Sequence, residues 1–163
     1  MAPLHPAFVH FPIALVVTSF ISDLLGRVFN KASLRAAGFW SLIGALIFGA
    51  ITATTGYYDM TRTRGVLGDT ARYVDFHEYA GFILIGAVVV LALWRILYAR
   101  KDLMPGFAYL IAAALVMGMV LFQGWYGGEM VYSQGAGVAA AGKGTEAPAS
   151  GKQRLDKVTK TGE

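Results

Sequence analysis

Three histidines, His5, His10 and His77, are the residues of this chain whose type and placement best suit chemistry. A neutral imidazole is the commonest metal ligand in proteins. His10 opens the first hydrophobic segment of the chain and His77 the third, 67 positions later. Two histidines that face each other across a helix bundle could ligate a b-type haem, whose iron takes axial side chains and needs no cysteine. Gly81, one turn beyond His77, would leave room for a flat macrocycle against its helix. A competing arrangement adds His5, Asp59 or Glu129 to give a copper, zinc or iron site with nitrogen and oxygen ligands. The plain alternative is an anchor: polar aromatic residues gather at membrane–water boundaries without binding anything. His5 falls outside the first hydrophobic segment and reads as a surface residue.

Several other chemistries are excluded by composition. There is no cysteine, hence no disulfide, thiolate nucleophile, iron–sulfur cluster, Cys-ligated zinc or thioether-attached haem. The chain lacks G-x-S-x-G, H-E-x-x-H and a phosphate-binding G-x-x-x-x-G-K-[ST]. No basic stripe interleaved with aromatics points to nucleic acid, although the net charge is +4. An enzyme is not expected.

The elements that must position the histidines are membrane helices. Of the 163 residues 56% are hydrophobic and 15% charged, against about 45–50% and ~25% in soluble domains. A soluble chain this short could not cover so much apolar surface. Four stretches have the length and apolarity of transmembrane helices: Phe11 to Phe29, Ala37 to Tyr58, Phe76 to Tyr98 and Leu103 to Trp125. The first lacks a basic n-region and is expected to remain as a helix, with Pro12 in its first turn. Asp75 and Glu78 read as a capping box opening the third. Small residues at four-residue spacing, Ala45, Gly49 and Ala53, then Ala114 and Gly118, favour close helix packing. The fold class is therefore an all-α membrane protein, a four-transmembrane-helix bundle over residues 1–134. Residues 135–163, rich in Gly, Ala and Lys, are expected to form a disordered tail.

The bundle reads as two repeated helical hairpins. His10 to Gly56 is 46 positions and His77 to Gly124 is 47. Four passes put all three histidines, with Asp59, Glu78, Glu129 and several Tyr and Trp residues, at one membrane face. If a two-fold axis along the membrane normal relates the hairpins, His10 and His77 face each other. Asp23, near the opposite end of the first helix, is expected to reach water or pair with Arg27. Arg27, Lys31, Arg35, Arg95, Arg100 and Lys101 lie toward that opposite face, against Arg62, Arg64, Arg72 and Lys143 on the histidine side. The positive-inside rule then places the histidines and both termini in the periplasm of a bacterial inner membrane.

The run His5-Pro6-Ala7-Phe8-Val9-His10-Phe11-Pro12-Ile13-Ala14-Leu15 resembles the opening H-P-x-x-V-H-F-P-I-A-L of DUF2231, a family of bacterial four-helix membrane proteins. Gly56 to Asp59, His77 with Gly81, and Gly127-Gly128 followed by Val131-Tyr132 extend the resemblance over residues 4–138. The family looks related to membrane b-type cytochromes. That relationship implies His10 and His77 as axial ligands of haem b, with His5 as the substitute. Because the histidines lie at one face only, it implies one haem, not two. The expected function is that of an electron-transfer subunit or redox partner, associated with the lipid bilayer and with other membrane-protein subunits or a redox partner. Two alternatives stand beside it: a cofactor-free structural or assembly subunit of a respiratory or photosynthetic complex, and a metal-handling protein using His5, His10, His77 and Asp59.

Overall fold

The computed structural model describes residues 4–63, 71–101 and 103–133. Among them the regular elements are all helical: α1 (His5–Phe8), α2 (His10–Val28), α3 (Ala32–Thr63), α4 (Ala71–Arg100) and α5 (Phe107–Tyr132). The expected tail at 135–163 lies outside the described residues.

Four spans, His5–Val28, Ala32–Arg62, Ala71–Arg100 and Phe107–Tyr132, are long and apolar enough to cross a membrane. They overshoot the hydrophobic runs because helices continue past the hydrocarbon into the polar boundary, where hydropathy no longer reports them. α1 and α2 form one span. Pro12 has no N–H to offer the carbonyl of Phe8, and the helix is interrupted at Val9, which keeps helical dihedrals (φ −60°, ψ −30°). The first span thus begins at His5, and Pro12 lies beyond its first turn. α4 likewise begins at Ala71, so Asp75 is inside the helix and is not its cap.

A Schellman turn closes α2. The N–H of Lys31 donates to the carbonyl of Gly26 (3.0 Å) and that of Asn30 to Arg27 (3.4 Å), with Asn30 in the left-handed region at φ 51°. The chain therefore reverses within a few residues and lays α3 closely along α2.

Around the bundle, α2 packs on α3 and α5, and α4 on the same two helices. α2 and α4 therefore occupy one diagonal. Val16, Leu42, Ala45, Val88, Leu91, Ala92, Ala113, Val116 and Val120 fill the centre. With lipid as apolar as the core, close packing and polar contacts between helices must hold such a bundle together.

The polar contact at one end of the diagonal is an ion pair. Arg95 of α4 donates from Nε and Nη2 to Oδ2 and Oδ1 of Asp23 in α2, both at 2.9 Å. Its Nη2 also donates to the carbonyl of Arg35 at 2.8 Å. The hydroxyl of Tyr109 in α5 donates to Asp23 Oδ2 at 3.2 Å. Asp23 is 0% exposed and Arg95 4%. Asp23 therefore neither reaches water nor pairs with Arg27, as its sequence position had suggested. Arg27 instead donates to the carbonyl of Pro105 at 2.7 Å and lies over the ring of Phe107.

Room for the Asp23 carboxylate is made by Gly38 of α3. A Cβ there would stand 2.5 Å from Asp23 Oδ1 and 3.1 Å from the Asp23 backbone nitrogen. Because the helix backbone cannot swing aside as a flexible side chain can, Gly38→Ala is expected to cost about 1–3 kcal/mol, the range for overpacking. Thermal unfolding in detergent reads this directly, and an unchanged transition would mean that α2 and α3 have slack at this point.

The two hairpins are repeats, but in a different register from the one that aligns His10 with His77. Asp23 and Arg95, which meet on the diagonal, are 72 positions apart. His5 and His77, which meet at its other end (6.2 Å between ring centroids), have the same separation. Gly38 and Tyr109, both beside Asp23, are 71 apart. So are Gly56 and Gly127, which lie against His5 and His77 respectively. The repeat is displaced by five positions from the alignment on His10.

Candidate functional site

The histidine end of the bundle is built by α1, α3, α4 and α5. His5 starts α1, where its backbone N–H donates to Asp59 Oδ2 at 2.8 Å. Its ring reaches down α3, with Nδ1 2.9 Å from the carbonyl of Thr52. A carbonyl only accepts, so Nδ1 carries a proton, and in the neutral ring the lone pair is on Nε2. This is the arrangement that fixes tautomer and direction in metal-bound histidines. The ring lies against Gly56, where a Cβ would come within 2.7 Å of Nδ1.

His77 sits in the second turn of α4. Its ring meets that of His5 edge-on, with centroids 6.2 Å apart and planes at 90°. On its other side Tyr126 stacks nearly parallel, at 6.1 Å and 11°, and Phe76 packs on Tyr126. Gly127 gives the ring its seat, since a Cβ there would lie 3.1 Å from Cε1. Gln123 Nε2 donates to the His77 carbonyl at 2.6 Å. Gly81 leaves open the space that Gln123 uses, with a Cβ there 3.3 Å from Nε2.

Two buried polar atoms at this end have no hydrogen-bond partner among the described residues, His77 Nδ1 and Thr52 Oγ1. Thr54, Thr55 and Thr61 donate their hydroxyls to carbonyls of their own helix, whereas Thr52 does not. Buried polar atoms left without a partner are uncommon and mark places where a ligand or water completes the structure.

Of the residues expected to carry chemistry, the structure brings His5 and His77 together and leaves His10 exposed. His5 is a half-buried interior residue, not the surface residue its position outside the hydrophobic run suggested. Asp59 joins through the His5 backbone. Thr52, Gln123, Gly56 and Gly127 were missed as site residues. The family pattern marks Gly56 and Gly127 without a role, and the repeat read in its true register pairs Thr52 with Gln123 and Gly56 with Gly127.

The family model described as "Predicted membrane protein (DUF2231)" matches residues 1–140. The chain belongs to the DUF2231 family. No curated protein and no solved structure matches it. In this DUF2231 protein the matched stretch includes every residue of the histidine end and of the Asp23–Arg95 pair.

The donor set can be tested for what it would hold. Both rings carry nitrogens of the kind a metal takes, and the structure sets them 6.2 Å apart between centroids with their planes at right angles. Among the described residues no group of three or more His, Asp and Glu side chains is placed to hold a metal ion. A bare ion usually draws three or four protein ligands. His5 and His77 are the residues that would hold a cofactor bringing its own metal.

Proposed function

We propose that this DUF2231 protein binds one b-type haem between His5 and His77 and serves as an electron-transfer subunit or redox partner in a bacterial inner membrane. The observation that carries the reading is the meeting of two imidazoles, one from each hairpin, at one end of the bundle. When bound, haem supplies reversible one-electron chemistry at its iron. The chain's own residues do the rest. The Thr52 carbonyl holds the His5 proton on Nδ1 and aims Nε2 away from α3. Gly56 and Gly127 let each ring lie on a helix backbone, and Tyr126 and Phe76 wall the site on the α5 side.

The opposite end of the diagonal holds an ion pair in place of a second histidine pair. One cofactor at one face cannot carry an electron across the bilayer, so the protein works within a larger redox system. The balance of basic residues supports an orientation. Arg95 pairs with Asp23, and Arg27, Lys31, Arg35, Arg100 and Lys101 lie around the turns at that end, against Arg62 and Arg72 among the described residues at the histidine end. The positive-inside rule places those turns in the cytoplasm and the histidines at the periplasmic face.

The deciding experiment is a reduced-minus-oxidised visible spectrum of the detergent-solubilised protein with pyridine haemochrome quantification. A sharp reduced α-band and about one haem per chain is the expected result, as befits a single pair of axial ligands. A preparation that stays colourless after expression with added haem would overturn the reading and leave a cofactor-free subunit of a membrane complex.

A further inference from the structure

Some glycines of the bundle seat a facing group and others face open space. In the first hairpin, Gly26 and Gly38 stand where a Cβ would come within 2.8 and 2.5 Å of the facing helix, and Gly44 within 3.3 Å of Leu15. These residues let α2 and α3 close on each other. Gly86 of α4, like Gly49 of α3 and Gly118 of α5, has nothing within 4 Å of the Cβ position. At Gly86 the missing side chain leaves a hollow. There α4 and α5 flank an open apolar groove of about 340 Å³, lined by Gly86, Ala87, Val90, Trp94, Leu115 and Val116 among others.

The groove runs along α4 from Gly86 to Trp94, about 12 Å at 1.5 Å per residue. A volume of about 340 Å³ over that length gives a cross-section of about 30 Å², less than a helix about 10–12 Å in diameter fills, so the groove suits a thinner occupant. Beyond Trp94, α4 ends with exposed Arg100 and the turn with exposed Lys101, about 10 Å further along the axis. An apolar slot within the membrane with two cations at its boundary is complementary to a chain bearing an anionic head.

We propose that the α4–α5 groove binds one acyl chain of an anionic phospholipid whose phosphate lies against Arg100 and Lys101. Gly86 admits the chain, Trp94 closes the slot toward the boundary, and the two cations select the headgroup. The site is independent of the histidine end and stands or falls without it.

The test uses the full chain reconstituted in nanodiscs of phosphatidylcholine and phosphatidylglycerol, extracted into detergent and weighed by native mass spectrometry. Wild type is expected to retain one phosphatidylglycerol at least about ten-fold over phosphatidylcholine, as a site recognising both chain and phosphate would. Such a preference corresponds to the tenfold step per ~1.4 kcal/mol. Gly86→Leu, which fills the hollow and improves helix propensity, is expected to lose both lipids with an unchanged melting temperature. The double variant Arg100→Gln with Lys101→Gln is expected to keep a bound lipid but lose the preference. Equal phosphatidylglycerol retention by wild type and Gly86→Leu would overturn the proposal. So would a Gly86→Leu variant that changes only the oligomeric state, which would give the groove to a second copy of the chain. Should Gly86→Leu fold poorly, the charge variant still decides: an undiminished preference for phosphatidylglycerol would equally overturn it.

Discussion

Arg95→Ala is expected to be among the most damaging single substitutions in the bundle, costing about 3–5 kcal/mol, the loss seen when one partner of a buried ion pair is removed. The reason is what it leaves behind. Asp23 is 0% exposed, and without the guanidinium its carboxylate keeps the single hydroxyl of Tyr109, at 3.2 Å. Arg95 also donates to the carbonyl of Arg35, so the same change frees a backbone acceptor in α3. Asp23→Ala should be comparably severe, since it strands a buried cation that is left with the ring of Phe39 at 5.7 Å and the Arg35 carbonyl, and with no other ion pair among the described residues. Tyr109→Phe removes one hydrogen bond to a charged group and should cost about 1.5–3 kcal/mol at most. Replacing Asp23 and Arg95 together by leucine and methionine is expected to recover most of the loss, because an apolar pair carries no desolvation cost. Thermal unfolding of each variant in one detergent orders these effects. An Arg95→Ala protein as stable as wild type would show that the pair does not hold the hairpins together.

The second large effect concerns the cofactor. His5→Ala and His77→Ala are each expected to lower haem per chain by at least about ten-fold, since even changes in the groups that orient ligands cost 10–100-fold. His10→Ala should leave the haem content unchanged. His10 is exposed on α2, and no ring contact ties it to His77. The three variants together separate the pairing of His5 with His77 from the alignment that makes His10 the partner. Loss of haem in His10→Ala with retention in His5→Ala would restore the alternative. Equal retention in all three would remove the histidines from cofactor binding altogether.

That the two histidines could be confused has a geometric cause. Five residues along a helix turn it through about 140° beyond a full circle, so His5 and His10 point to different sides. Which one faces inward depends on where the helix begins. The hydrophobic run begins at Phe11, and Pro12 suits a first turn, so the apolar pattern pointed to His10. The helical span in fact begins at His5, held there by Asp59 and Thr52 from a helix some fifty residues away, at sequence separations of 54 and 47. No local pattern announces such contacts. The four spans were legible because twenty apolar residues in a row have one physical outlet. The ion pair was less so: Asp23 lay near a basic turn and Arg95 near the end of an apolar run, and both resembled boundary charges. Their clue was depth, since opposite charges at corresponding heights in two parallel helices can neutralise each other in the interior. Gly38 carries no sequence mark that separates a seat for a side chain from an ordinary packing glycine.

The repeat relating Asp23 to Arg95 bears on how the chain assembles as it enters the membrane. Equivalent positions meet on the diagonal, so a hairpin that paired with a copy of itself from another chain would set like charge against like. Two first hairpins would bring together two carboxylates, and two second hairpins two guanidiniums, in surroundings with little water to screen them. Only the union of a first with a second hairpin neutralises both. A histidine against a histidine carries no such instruction, because that contact is the same whichever hairpins join. The buried pair thus acts as a polarity key: it leaves the molecule free to keep a nearly symmetric site at one face while making its two halves distinguishable at the other.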